Sequence, residues 1–343
     1  MSTRDRVPNE TPEVATTSSE RISGGRVLRF LMQYGILLVL VGLFIGISVE
    51  VPRFATSTSF TNLLQQWAPV GIMAMAGTFV LIVGGFDFSV AGVMAFAVTI
   101  SAGFSGDIGV TAAFLITLLI CLCIGVINGV VITRLHVNAF IATIAVGLVM
   151  RGIALQYSKG EPIVDVGDGY NIIGGDRIAG VFPYAALFLI VAFIIGAIVL
   201  HRSVYGRSVF AIGSNKHAAR LSGIRVNRIV IATYALSGLA AGMAGLLFGS
   251  RLGLGQADVG VGFEIDVITA IVIGGTAIGG GSGAMWRTAV GLGILAVLQN
   301  GLDALQINPN TQVIIKGLIL VVAVAWDEYV KRRRATLSDR EAL

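Results

Sequence analysis

Few side chains in this sequence could do chemistry, and most of those sit singly inside apolar runs. They are Asp87 and Ser89 in GGFDFSV, Asn128 in INGVV, Arg151 in VMRGIAL, Asp266 and Thr269 in EIDVITA, Asn300 in LQNGL and Lys316 in IIKGL. A charge at the centre of a bilayer costs at least about 2.5–3.5 kcal/mol, so such residues tend to face a partner or a wet cavity. Asp87 and Ser89 fit two roles, a cap on the helix that starts VAGVMAF or part of a solute pathway. Asn128 and Asn300 either hydrogen-bond between helices or touch a solute. Arg151 and Lys316 sit near predicted span ends, where they snorkel or pair with acids.

Other chemistries lack their residues. The stretch GGTAIGGGSG, Gly274 to Gly283, has the glycines of a phosphate loop but no lysine after them. The four lysines, Lys159, Lys216, Lys316 and Lys331, follow Ser, Asn, Ile and Val, so no Walker A sequence is present. His136, His201 and His217 lie far apart and outside any H-E-x-x-H pattern, and no serine stands in G-x-S-x-G. Cys121 and Cys123 share one apolar run but point to different helix faces, which supports packing and neither a disulfide nor a metal site. The sequence calls for no cofactor, no metal and no catalytic residue. An ion-driven carrier shows acids deep in helices; here Asp87, Glu264 and Asp266 all fall near predicted helix ends, which makes that reading the minor one.

The elements that position these residues follow from composition. Apolar residues make up 55% of 343, charged residues only 13%, and runs near the 20 residues needed to cross a bilayer recur after Leu28. The fold class is therefore all-α, a polytopic membrane bundle whose main solvent is lipid. About ten spans are predicted, near 29–49, 67–85, 89–105, 109–132, 139–157, 182–200, 229–250, 264–280, 287–305 and 311–327. Residues 1–28 read as a disordered tail, 29–328 as one transmembrane domain and 329–343 as a basic tail. The run from Phe30 to Ser48 is too long for a cleavable signal and is the first span.

The formal charge of +5 does not indicate nucleic acid, because the basic residues are confined to short segments between spans. The N-terminal tail, the 201–228 loop and the C-terminal tail hold most Lys and Arg, and with ten spans all three face one side. The positive-inside rule makes that side, and both termini, cytoplasmic. Gly238, Gly242, Gly245 and Gly249 recur at three- and four-residue steps and predict a face on which another helix packs. LIVGGFDFSV and IVIGGTAIGG, and INGVV and QNGLD, are weakly alike, with spacings that differ.

The 201–228 loop contains a polar island, GSNKHAARLSGIRVNR. Asn215 can cap a first turn, no Gly or Pro interrupts Asn215 to Leu221, and Gly223 suits the place after a helix end. A short exposed helix is predicted. Ala218 and Ala219 give it a small surface that could enter a partner's cleft, with charge at the edges; a solvated loop obeying the positive-inside rule is the other reading.

Several stretches, in order, resemble one family. GRSVFAIGSNKHAARLSGIRVNRI is similar to the cytoplasmic loop of the sugar permeases of ATP-binding-cassette (ABC) importers, the ribose, xylose and galactoside permeases. Its core resembles the importer pattern E-A-A, three residues, Gly, with His217 in place of the acid, then Ala218, Ala219 and Gly223. GGFDFSVAGVMAF resembles the family's G-G-I-D-L-S-V-G. INGVVITRLHVNAFIATIAVGLVMRGIAL resembles its N-G…P-F-I-x-T-L, with Ala139 for the proline. GFEIDVITAIVIGGTAIGGGSG and NPNTQVIIKGLILVVAV resemble the closing part.

The resemblance spans residues 30–330. It implies a multi-pass permease of the bacterial inner membrane that works as a pair, expected to be a homodimer, with a cytoplasmic ABC ATPase and an extracytoplasmic sugar-binding protein. It implies that Gly213, Ser214, Asn215, His217, Ala218, Ala219, Leu221 and Gly223 form the ATPase-coupling helix. Asp87, Ser89, Asn128 and Asn300 are the candidates for the pathway. A branched-chain amino acid permease of similar architecture is the alternative.

Overall fold

Lipid offers the backbone no hydrogen bonds, so apolar runs of this length are stable only as helices. The structure, a computed structural model, describes the backbone of residues 21–341 and the side chains of residues 34–325. Thirteen helices are present among the described residues. They are α1 Arg21–Glu50, α2 Ser57–Ile82, α3 Val90–Ile108, α4 Val110–Arg134, α5 Ala139–Ser158, α6 Ile172–Gly175 and α7 Tyr184–Arg202, then α8 Val204–Ser214, α9 Lys216–Leu221, α10 Val226–Leu252, α11 Phe263–Ile273, α12 Met285–Ala304 and α13 Pro309–Glu341. One hairpin pairs β1 Arg177–Ile178 with β2 Phe182–Pro183. Residues 1–20 of the expected N-terminal tail lie outside the described residues, as do the side chains of the expected C-terminal tail.

Helices α2, α3, α4, α5, α7 and α10 are long and apolar enough to cross a membrane, and the apolar described parts of α1 and α13 are shorter. A helix lies at each of the ten expected places, with differences of extent. Helix α1 begins at Arg21, so its backbone takes in residues 21–28 of the tail expected to be disordered, and α13 runs past its predicted span to Glu341. Helix α2 begins at Ser57, ten residues before the predicted span, because the Thr56 side chain accepts from the Ser59 N–H and caps it. The run expected as a span over 264–280 is helical only to Ile273, because the glycines that follow end it. Gly275, Gly280 and Gly281 all have positive φ, which only glycine adopts freely.

Burial sorts the helices into an inner and an outer set. The apolar windows of α2, α3 and α10 are 83%, 72% and 67% buried, whereas those of α4, α5 and α7 are 22–28% buried and present Leu, Ile and Val outward. Small residues make the inner contacts close, as helix association in lipid requires. A Cβ on Gly238 would lie 2.3 Å from the Cys121 carbonyl, and one on Gly245 2.6 Å from the Met94 carbonyl. The predicted glycine face of α10 thus packs on α4 and α3.

At one end of the bundle the segment between α5 and α7 ties the inner helices together. Tyr170 is buried with its hydroxyl 2.9 Å from Ser101 Oγ, Gly174 N–H donates to Ser250 Oγ at 2.8 Å, and Gln65 Nε2 donates to the Gly174 carbonyl at 2.7 Å. Burial pushes the Tyr170 phenol up to about 12, so it stays protonated across the physiological range. The opposite end carries α8, α9 and the segment between α11 and α12.

Candidate functional site

Helix α2 ends at Ile82 and α3 begins at Val90, and the break between them holds the first two candidates. Gly84 at φ +87° turns the chain, and Gly85 N–H returns to the Val80 carbonyl at 2.9 Å. The segment that follows lies inside the bundle rather than beyond its end. Tyr234, nearly two and a half turns into α10, donates to the Phe86 carbonyl at 3.0 Å. Thr143 Oγ1 on α5 accepts from Phe88 N–H at 3.1 Å, and Phe88 meets Phe140 edge-on.

Within this break Asp87, Ser89 and Asn128 converge. Asp87 Oδ1 accepts from both Ser89 N–H and Ser89 Oγ, and Asn128 Nδ2 on α4 donates to Ser89 Oγ at 2.9 Å. All three are buried, and the Asn128 Oδ1 acceptor has no protein partner. Ser89 occupies the position before α3 but makes no side-chain cap, so its hydroxyl serves the cluster. The donors that meet the Asp87 carboxylate are neutral. Beside Asp87 lies a space of about 10 Å³, walled by Gly77, Val80, Val90, Val267 and Ile271 from α2, α3 and α11. That is room for about one water, so this space is closed to a larger solute as it stands.

Asn300 does not join them. Its Nδ2 donates to the Ala296 carbonyl one turn back in α12. Of the other intramembrane charges, Lys316 Nζ lies 3.2 Å from Asp266 Oδ2 and 6.0 Å from the Trp67 ring, and Arg151 Nη2 donates to the Val259 carbonyl, whereas Glu264 Oε2 is buried without a hydrogen-bond partner among the described residues.

The second candidate region is the polar island. Asn215 leaves α8 in an extended conformation, and its Oδ1 accepts from His217 N–H and Ala218 N–H, both at 3.0 Å, which starts α9. Gly223 at φ +80° ends it. Lys216, His217, Ala218, Arg220 and Leu221 are exposed, Leu221 at 78%. Ala219 is buried against its own subunit, so the small surface offered outward is Ala218 and the apolar knob is Leu221.

Sequence reasoning did not anticipate how this island touches the break. A Cβ on Gly213 would lie 1.8 Å from the Ile82 carbonyl and 2.5 Å from Gly281 N, and one on Gly281 2.9 Å from Ser214 Oγ. Gly281 N–H itself donates to the Ile82 carbonyl at 2.8 Å. The end of α8 therefore rests on the end of α2, five residues before Asp87, and on the segment that joins α11 to α12. Tyr234 was also missed. A tyrosine in an apolar run gives no sign that its hydroxyl props a loop 148 residues away.

A polytopic helical bundle with a buried polar break, and with an exposed basic helix joined to the α8 end that rests beside that break, defines a membrane permease rather than a soluble binding module. Residues 59–324 match the family described as branched-chain amino acid transport system / permease component, and the chain belongs to that family. It is 36% identical over 318 residues to the ribose import permease protein RbsC of Bacillus subtilis (strain 168), covering 92% of this chain and 98% of the relative. It is 34% identical over 317 residues to RbsC of Escherichia coli (strain K12), covering 90% and 98%. It is 36% identical over 317 residues to the L-arabinose transport system permease protein AraH of the same strain, covering 89% and 93%. No solved structure matches the chain.

Proposed function

We propose that the chain is the transmembrane permease subunit of an ABC importer, forming the path of a monosaccharide across the bacterial inner membrane. Pentoses are the first candidates, because the relatives described above are named for ribose and L-arabinose. The branched-chain alternative rests on the family description alone. ATP hydrolysis belongs to a separate cytoplasmic ATPase, solute capture to an extracytoplasmic sugar-binding protein, and the second half of the pathway to another copy of this chain.

The observation that carries the reading is the seat of Gly213 on Ile82 and Gly281. Closure of the ATPase pair moves α9, α9 moves the end of α8, and that end presses on α2 and the α11–α12 segment. The break that holds Asp87, Ser89 and Asn128 is continuous with α2, so it shifts with them and opens the closed space. A switch of this kind works only if the effector binds the two states with different free energy, which a rigid contact from α9 to α2 transmits.

The orientation follows from charge. Arg134, Arg202, Arg207, Lys216, Arg220, Arg225, Arg228 and Arg287 gather at the α8–α9 end, while Glu161, Asp165, Asp168 and Asp176 lie in the segment at the other. The basic end is cytoplasmic by the positive-inside rule, with ten crossings and both termini on that side. Asp87, Ser89 and Asn128 line the pathway, and Asn300 serves helix α12.

Uptake of labelled ribose and L-arabinose into proteoliposomes, with the cognate ATPase and binding protein, tests the proposal. Accumulation that requires ATP and both partners is expected. Accumulation by the permease alone along an ion gradient would replace this reading with a secondary carrier.

A further inference from the structure

A cavity of about 440 Å³ opens where the end of α4, the turn after α9 and the start of α10 meet, lined by Arg134, Arg220, Arg225 and Arg228 over Ile224 and Val226. Among the described residues no carboxylate lies within 4 Å of any of these guanidiniums. The elements that carry them bring none of their own, since the sequence has no Asp or Glu between Asp107 and Glu161 or between Asp176 and Asp258. Four like charges around one open cavity repel one another unless an anion sits among them. The guanidinium fork matches a phosphate group in particular.

The surroundings identify the carrier of that phosphate. On α4 the residues Leu119, Cys123, Ile127 and Val130 are exposed at steps of three and four, and the next position on the same stripe is Arg134. Leu135, beyond the helix end, is 68% exposed. An apolar stripe of this kind faces acyl chains, and it leads directly into the carboxylate-free cavity. A soluble acidic partner or free phosphate would need the cavity but not this continuity.

We infer that the cavity binds the phosphodiester headgroup of an anionic phospholipid of the cytoplasmic leaflet, with the acyl chains along the α4 stripe. Basic recesses between membrane helices on the cytoplasmic side hold such headgroups. The lipid joins three elements at once. Arg134 belongs to α4, Arg220 to α9, and Arg225 and Arg228 to the approach and first turn of α10. Its occupancy steadies α9 against the membrane domain. The inference rests on the proposed orientation but is independent of which solute is carried.

The full chain in nanodiscs of equal phosphatidylglycerol and phosphatidylcholine, released into mild detergent and weighed by native mass spectrometry, tests it. Wild-type protein is expected to retain phosphatidylglycerol at least about tenfold over phosphatidylcholine. The variant Arg134→Gln/Arg225→Gln/Arg228→Gln should lose that preference, and Arg202→Gln/Arg207→Gln, on residues outside the cavity, should keep it. Arg134→Gln alone, at an exposed helix end, should reduce it measurably if the triple variant does not fold. Equal retention of the two lipids by the wild type, or an unchanged preference in Arg134→Gln, overturns the assignment. Displacement of the lipid by millimolar inorganic phosphate would assign the site to free phosphate instead. Loss of the ATPase partner from the triple variant with lipid retention unchanged would assign it to that protein.

Discussion

Asn128 on α4 donates to Ser89 Oγ at 2.9 Å, and the same hydroxyl donates to Asp87, so one hydrogen-bonded chain ties α4 to the break between α2 and α3. The free Asn128 Oδ1 leaves one acceptor for a solute hydroxyl or a water. Asn128→Ala removes the tie and the acceptor together. Stability should fall by only about 1 kcal/mol, as intramembrane hydrogen bonds are individually weak. Initial uptake rates should fall severalfold, measured as labelled-pentose uptake at equal protein levels.

Gly213→Val should separate ATP hydrolysis from transport. Its Cβ has no room beside the Ile82 carbonyl, so α8 must lift off the end of α2 while α9 remains exposed. The purified complex should still hydrolyse ATP, and uptake should be largely lost. Normal uptake per ATP would remove Gly213 from the coupling route.

Lys316 and Asp266 should behave as a pair. With side chains 24% and 10% exposed, breaking the contact leaves a poorly solvated charge, and Lys316→Met should cost about 2–3 kcal/mol. Asp266→Asn in the same chain should recover most of that. Thermal unfolding of the single and double variants in detergent gives the coupling, and additive losses would mean that the contact contributes nothing.

The glycines of α10 should tolerate less than those facing outward. A side chain at Gly238 collides with backbone of α4, whereas one at Gly152 on α5 meets nothing within 4 Å. Gly238→Val should abolish the monodisperse peak in size-exclusion chromatography, and Gly152→Ala should leave it unchanged. Equal behaviour of the two would mean that α10 and α4 do not cross so closely.

The spans were legible because hydropathy is a long-range average that neighbouring structure barely alters. The α9 helix was legible for the opposite reason, since Asn215 and Gly223 act through local backbone geometry. The early end of α11 was visible as a glycine-rich run but was masked by the apolar average that includes it. What the sequence left open was convergence. Asp87, Ser89 and Asn128 meet because α4 passes the break between α2 and α3 at the depth of Ser89, while Asn300, equally polar and equally apolar in surroundings, turns back on its own helix. Ala219 shows the same limit. Its type suits an outward docking surface, yet the short helix turns that side toward its own subunit.

The central claim is that α9 is where work enters the membrane domain. Co-purification of the tagged permease with its ATPase, comparing wild type with Ala218→Arg and Leu221→Glu, tests it most directly. Both changes fall on exposed side chains and should leave insertion and lipid-facing helices intact. The account predicts loss of the ATPase from both variants with normal permease yield; retention of the ATPase at the wild-type level in both would contradict it.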